Sequence, residues 1–321
     1  MDPGLLDRVS GVLLGQACGD ALGVPYEFGP ALPPEFIPEM VGGGLGPFEP
    51  GEYSDDTAMA ACIAEVSATG IDLTSADAVD RVAGKFLVWG EDAKDIGNQT
   101  SAVLAEARAS VDPAGVSVPL AAQAYAFSHP HSAGNGALMR TAVVALSRVH
   151  DREATAAAAR KVAAITHVDP LAVDSCVLWT EAVRRAVLHG DLNLISGLDL
   201  IAESSRGTWR NWIDEATQTD PRTFSPNGYT VTALQAAWAA ITWTAVPDDE
   251  PSRHFELALM NAVRAGNDTD TVAAIAGGLL GARWGASAIP RHWSEIVHGY
   301  GGHTAAGLVD LTVQTVTKGA G

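Results

Sequence analysis

Carboxylates and hydroxyls crowd together at two places in this sequence. Gly51-Glu-Tyr-Ser54-Asp55-Asp56-Thr57 runs straight into Ala58-Met-Ala-Ala-Cys-Ile-Ala64. Gly266-Asn-Asp268-Thr269-Asp270-Thr271 runs into Val272-Ala-Ala-Ile-Ala-Gly-Gly-Leu-Leu280. Hard oxygens converging from a tight turn are the donor set for Mg²⁺, Mn²⁺ or Ca²⁺. The plainer alternative is helix N-capping, in which an Asp or Thr side chain accepts from the first free N–H groups. A cap uses one such side chain, whereas Asp268 to Thr271 offers four in a row. Two matching half-sites point to two divalent ions sharing one cage, with Ser54, Asp55, Asp56, Asp268, Asp270 and Thr271 as donors.

The elements that must position these groups are helices. From Val272 to Leu280 no side chain is polar, so a helix there is apolar all round and belongs in the core. The positive end of its dipole favours ionised Asp and repels a bare cation. The helices therefore hold the carboxylates while the oxygens bind the ions.

Five ordered motifs carry a resemblance: Gly15-Gln-Ala-Cys-Gly-Asp-Ala-Leu-Gly-Val-Pro-Tyr-Glu-Phe28, Ser54 to Thr57, Gly134-Asn-Gly-Ala-Leu-Met-Arg140, Thr166-His-Val-Asp-Pro170 and Asp268 to Thr271. From Gly11 to about Trp293 the chain resembles the ADP-ribosylglycohydrolase family. That family includes the dinitrogenase reductase-activating glycohydrolase and the ADP-ribosylarginine and ADP-ribosylserine hydrolases. The resemblance implies hydrolysis of an N- or O-glycosidic bond to the anomeric carbon of ADP-ribose. Two Mg²⁺ or Mn²⁺ ions would orient the ribose and acidify a water, with Asp55 or Asp56 as general base. The substrate would be an ADP-ribosylated protein or small molecule, and ADP-ribose the product. Ser54 stands where many relatives have Thr, which keeps the hydroxyl.

The same resemblance assigns further residues. The residue matching Glu27 approaches the metals in the family, so Glu27 is a candidate ligand or gate. Asp95-Ile-Gly-Asn-Gln-Thr100 resembles the family's Asp-x-Gly-x-x-Thr turn, making Asp95 a candidate acid or base and placing Gly97 near substrate. Its plainer reading is a turn-forming Asp before a glycine. Asn135, between Gly134 and Gly136 at the entrance of a helix expected near Ala137, offers amides as a cradle for a diphosphate, with Ser132 adding a hydroxyl. His167 would contact the nucleotide sugar. Where this chain has His131 and Ala133, some relatives have a glycine and an aromatic. The rival readings are another metal-assisted hydrolase acting on a phosphate or amide, and a non-catalytic member like the lens J-crystallins. The intact set from Ser54 to Thr271 argues against the second.

Composition frames this reading. At 321 residues and 47% hydrophobic content the chain can bury a large core. A net charge of −18 without a basic run argues against nucleic acid or an anionic membrane as partner. The apolar stretch from Val9 to Val24 is broken by Gln16 and Asp20, and no basic region precedes it, so neither a signal peptide nor a membrane span is expected and the location expected is cytoplasmic. Cys18, Cys62 and Cys176, far apart in apolar surroundings, read as reduced core thiols.

Helices are expected over Leu5 to Cys18, Asp77 to Trp89, Thr100 to Ala109, Arg152 to Ile165, Leu171 to about Leu188, Tyr229 to Thr244 and His254 to Val263. Gly11 and Gly15 allow close helix contact in the first of these. Asp20 caps or anchors the segment after it, and Asp169 caps the helix that begins at Leu171. The Pro- and Gly-rich run from Glu27 to Glu52 reads as an active-site flap. Ile201 to Gly228 is the least readable segment; Trp209, Trp212 and Phe224 in it are candidates to stack on adenine, whereas Trp238 and Trp243 read as core. Strand patterns are missing. The expected architecture is all-α, one compact helical bundle over 1–321 whose metal site lies at converging loops and helix N-termini.

Overall fold

The computed structural model describes residues 1–30 and 32–319; Ala31, within the expected flap, and the last two residues of the chain lie outside the described residues. The all-α class holds: beside helices, only isolated bridges occur among the described residues. In chain order the helices are α1 (Pro3–Gly23), α2 (Asp55–Ser67), α3 (Ala76–Trp89), α4 (Asn98–Arg108), α5 (Ala114–Ser128) and α6 (Arg152–Ala163). They continue with α7 (Pro170–His189), α8 (Glu203–Thr217), α9 (Thr230–Trp243), α10 (His254–Arg264), α11 (Thr269–Trp284), α12 (Arg291–Ser294) and α13 (Ala305–Gly319). None of them is long and apolar enough to cross a membrane.

The centre is a pair of helices whose backbones touch. A methyl group placed on Gly11 would lie 2.2 Å from the Gly281 carbonyl oxygen, on Gly15 2.5 Å from that of Gly277, and on Gly19 2.1 Å from that of Ala273. Partners descend as the α1 number rises, so α1 and α11 run antiparallel. Four-residue spacing puts the glycines on one face. Each glycine inside a helix costs about 1 kcal/mol relative to alanine, which the close packing offsets. At the end of this seam Gly23 meets the Asp270 backbone, 2.3 Å from where its methyl would stand. The first turn of α11 is thereby fixed against the last turn of α1.

Both helices are buried on every side over most of their length, α1 from Val9 to Gly23 and α11 from Thr269 to Ala282. α2, buried from Asp56 to Ala64, packs on α1 and on α3, and α13 covers α1 and α2. α7, α9 and α10 lie against α11, with α6 on α7 and α8 on α9. All three cysteines are buried free thiols.

Several expectations from the sequence shift. α1 starts earlier than Leu5, because Asp2 caps it and Pro3 opens it, and continues past Cys18, because Gly19 and Gly23 face α11. No α-helix begins at Ala137; two 3₁₀ turns, Leu138–Arg140 and Ala142–Leu146, stand there instead. α5, with Pro119 inside it and no charged residue, lacked a sequence signal, and α8 lies in the segment that could not be read. Trp238 is core as expected, but Trp243, at the end of α9, is 53% exposed. Asp169 does cap α7, accepting from the Leu171 N–H at 2.8 Å.

Candidate active site

Asp20 organises the site from inside α1. Its Oδ1 accepts from the Ser54 N–H at 2.8 Å and its Oδ2 from the Thr57 N–H at 2.9 Å. It therefore caps α2 from another helix, satisfying N–H groups that would otherwise be orphaned. Gln16, one turn earlier, donates to the Asp56 carbonyl at 3.2 Å. The two residues that break the apolar stretch of α1 are both aimed at the start of α2.

With that cap supplied, the side chains of the first half-site are free. Ser54 and Asp268 occupy the N-cap positions of α2 and α11, yet neither caps its own helix with its side chain. The Ser54 hydroxyl lies 3.1 Å from Asp56 Oδ2 and 3.2 Å from Asp270 Oδ2, joining stretches 216 positions apart. Asp268 Oδ2 accepts from the Asn135 amide at 2.8 Å, and Asp270 Oδ1 from the Thr271 N–H at 2.9 Å. Asp56 Oδ1 is buried with no hydrogen-bond partner. The capping alternative thus fails for these groups.

Carboxylate oxygens of Asp20, Asp56 and Asp270 lie within 4.8 Å of one another, and so do those of Glu27, Asp268 and Asp270. Asp270 belongs to both sets. Glu27 reaches the second because it follows a single 3₁₀ turn, Val24–Tyr26, after α1. The next residue, Phe28, is fastened by its N–H to the Asn267 carbonyl. Phe28 and Asn267 both adopt left-handed backbone, at φ 48° and 59°, a costly conformation for non-glycine residues that clusters at functional sites. Asp55 lies outside both sets, its Oδ2 3.4 Å from the Gly97 nitrogen.

Electrostatics follow from this crowding. Burial lifts the Asp20 carboxyl to about 6 against the Ser54 and Thr57 hydrogen bonds. Burial, then Asp95, Asp20 and Asp268, raise Asp55 to about 8; burial, then Asp268, Asp95, Asp55 and Asp20, raise Glu27 to about 9. Asp56 and Asp270 rise well above the ordinary range, again through burial first and neighbouring carboxylates second. Asp268 is raised by burial too, with the Asn135 amide pulling the other way. No Lys or Arg forms an ion pair with any of them among the described residues. A buried acidic cluster with an orphaned oxygen fits divalent cations, which supply the missing charge and accept the unused lone pairs.

These groups open into a cavity of about 440 Å³. Its lining includes the acidic residues Glu27, Asp55, Asp95, Asp268 and Asp270 with Thr271, and the uncharged Gly97, Ser132, Gly134, Asn135, Gly136 and His167. Ser54 and Asp56 are buried without lining it. Asp95 also accepts from its neighbour Ile96 at 2.8 Å, as a turn-forming Asp does. Asn135 departs from the expected cradle. With no helix start beside it, its N–H bonds the Gly228 carbonyl and its side-chain amide bonds Asn227 and Asp268. It orients a carboxylate rather than leaving its amides open. The aromatics at the cavity are Phe28 and Tyr125, not residues of Ile201–Gly228; Trp209 and Trp212 pack on each other at 5.1 Å instead.

Asp20 is the residue whose part in the acidic cluster the sequence reading missed. The available signal was an acid four residues after Gln16 in a stretch otherwise apolar, which is one helix face.

A profile of the ADP-ribosylglycohydrolase family matches residues 1–319. The chain is 34% identical over 302 residues to ADP-ribosylarginine hydrolase Tri1 of Pseudomonas putida (strain GB-1), covering 91% of this chain and 74% of that one. It is 28% identical to the ADP-ribosyl-[dinitrogen reductase] glycohydrolase of Rhodospirillum rubrum, over 91% of this chain and 90% of that one. To the human ADP-ribosylhydrolase ARH3 it is 27% identical, over 92% and 90%. A solved structure described as an "ADP-ribosylglycohydrolase-related protein complex" superposes with a TM-score of 0.74 at 28% identity, covering 98% of this chain and 99% of that one.

Proposed function

This chain belongs to the ADP-ribosylglycohydrolase family, and from that premise we propose that it is a metal-dependent hydrolase that releases ADP-ribose from a modified protein side chain or small molecule. The observation that carries the metal dependence is the pair of carboxylate sets joined at Asp270, with Asp56 Oδ1 buried and unpartnered beside them. Asp20, Asp56 and Asp270 on one side and Asp268 and Asp270 on the other would hold two Mg²⁺ or Mn²⁺ ions, with Ser54 and Thr271 contributing hydroxyls and Glu27 standing as a gate beside the second set. Bound there, such ions supply Lewis acidity that orients sugar hydroxyls and makes water a better nucleophile.

The chain's own groups do the rest. Asp55 stands outside both sets and lines the cavity, which supports a role as the general base that would take a proton from the attacking water. Carboxylates around the anomeric carbon, Asp95 and Glu27 among them, favour the positive charge that develops on the sugar as the glycosidic bond breaks. Asn135 keeps Asp268 aimed inward, and Gly97, Ser132, Gly134, Gly136 and His167 form the surface against which the nucleotide would rest.

The acceptor to test first is arginine, which the name of the Pseudomonas putida relative specifies. The experiment is hydrolysis of a panel of defined ADP-ribosyl linkages with Mg²⁺ or Mn²⁺ and after exhaustive chelation, with circular dichroism alongside. The expected outcome is loss of turnover on chelation with the helical signal intact. Activity that survives full removal of divalent ions would sink the metal-dependent reading.

A further inference from the structure

Arg140 is fully buried and forms no ion pair among the described residues. Its guanidinium stacks 4.7 Å over the Phe86 ring and donates through Nη1 to the Met59 sulfur at 3.6 Å. Nη2 donates to the Val162 carbonyl at 3.4 Å and, more closely, to the Thr166 hydroxyl at 2.8 Å. Thr166 is itself fully buried, and its oxygen lies 2.8 Å from His167 Nδ1. A guanidinium only donates, so the hydroxyl accepts from Arg140. Its own hydrogen then has one acceptor within reach, His167 Nδ1. A buried O–H without an acceptor is costly, and the other tautomer would produce one.

The far edge of the ring has no such partner. His167 is 2% exposed and lines the cavity, with Nε2 bonded to no protein group among the described residues. It lies against the two glycines of Gly134-Asn-Gly136: a methyl on Gly136 would stand 3.2 Å from Nε2 and 3.0 Å from Cε1. Side chains there would crowd the ring edge that glycines leave open. Burial and the nearby Arg140 charge push the imidazole down to about 3, so it is neutral at physiological pH.

We propose that Arg140 and Thr166 are positioning residues that hold His167 as the Nε2–H tautomer, giving the cavity a neutral hydrogen-bond donor for an acceptor oxygen of bound ADP-ribose. The ligand named rests on the function proposed above; the tautomer does not. An imidazole free to choose would spend part of its time offering a lone pair to the sugar and phosphate oxygens, which repel it. The relay removes that choice before ligand arrives.

The test is the two-bond ¹H–¹⁵N spectrum of ¹⁵N-histidine-labelled protein in Mg²⁺ buffer at neutral pH, with the His167 signal assigned through His167→Asn. Wild type should show Nε2 protonated and Nδ1 unprotonated. Thr166→Val should transfer population to Nδ1–H and weaken ADP-ribose binding, measured by calorimetry, about tenfold. Thr166→Ser, which restores the hydroxyl, should restore both. A loss of packing alone would lower the melting temperature and leave the tautomer unchanged. An Nδ1–H or doubly protonated ring in wild type, or an unaltered tautomer in Thr166→Val, overturns the proposal. An Nε2–H ring in a protein without affinity for ADP-ribose would support the relay and overturn the proposed function.

Discussion

Where Asp20, Glu27, Asp56, Asp268 and Asp270 converge, burial lifts every carboxyl above its ordinary range, and neighbouring carboxylates add to it at all but Asp20. On the same cavity, Gly134, Gly136 and His167 form a surface without charge, its imidazole held neutral and its Asn135 amide already spent on protein partners. The first region leaves an electrostatic deficit that no Lys or Arg repairs among the described residues. The second presents polar groups without net charge. A site so divided has one part that depends on something from solution and one that does not. Removing divalent ions should therefore disable the first and spare the second.

The most severe way to break this contrast is to remove a charged ligand. Asp56→Asn and Asp270→Asn should each lower kcat/KM by on the order of 10³-fold, and the double variant should lose little more than the worse single, because groups that act as a unit are not additive. Steady-state kinetics at saturating metal, with melting temperatures alongside, decide it. If near-normal turnover accompanied independent stability losses of about 1 kcal/mol each, the two residues would be structural members of separate helix starts and the metal-site reading would fail.

Glu27 lies at the edge of the acidic region and should show a smaller effect. Glu27→Ala is expected to lower kcat by about 10²-fold while changing divalent-ion affinity less. Calorimetric metal titration separates the outcomes. Complete loss of metal binding would make Glu27 a core ligand rather than a gate.

The smallest effects should appear in stability against pH, where the two regions have opposite signs. In chelated protein the folded acids hold protons that the unfolded chain has released. Their raised values, about 6 for Asp20, 8 for Asp55 and 9 for Glu27 against ordinary values of 3.8 to 4.5, mean that stability is greatest at low pH and is lost as pH rises through that window. His167, lowered from 6.5 to about 3, behaves oppositely: its contribution is complete above 6.5 and is lost as pH falls toward 3. Thermal melts in EDTA should show Asp55→Asn flattening the alkaline limb and His167→Asn the acid limb. Unchanged slopes in both variants would mean that neither region carries the charge pattern described.

Much of the acidic region was legible before the structure, because hydroxyls and carboxylates abutting wholly apolar helices leave a local signature. So was the close contact at Gly11 and Gly15. What escaped is long-range. Asp20 caps residues 34 and 37 positions away, and Asn135 reaches partners 92 and 133 positions away. No local pattern reports such pairings. α5 escaped because Pro119 and an uncharged surface hide its period, and Trp243 because its exposure depends on where α9 stops relative to its neighbours.

The glycine seam has a consequence in time. Gly11 and the Gly281 backbone it touches are far apart in the chain. At about 5–20 residues per second of synthesis, α1 waits on the order of 10–50 s for its partner. Through that interval its glycine-lined apolar face has nothing to pack on, and Asp20 has no Asp270 beside it. Asp270 and Asp268 therefore join the other carboxylates only once α11 has been made, when the seam that forces them together can close.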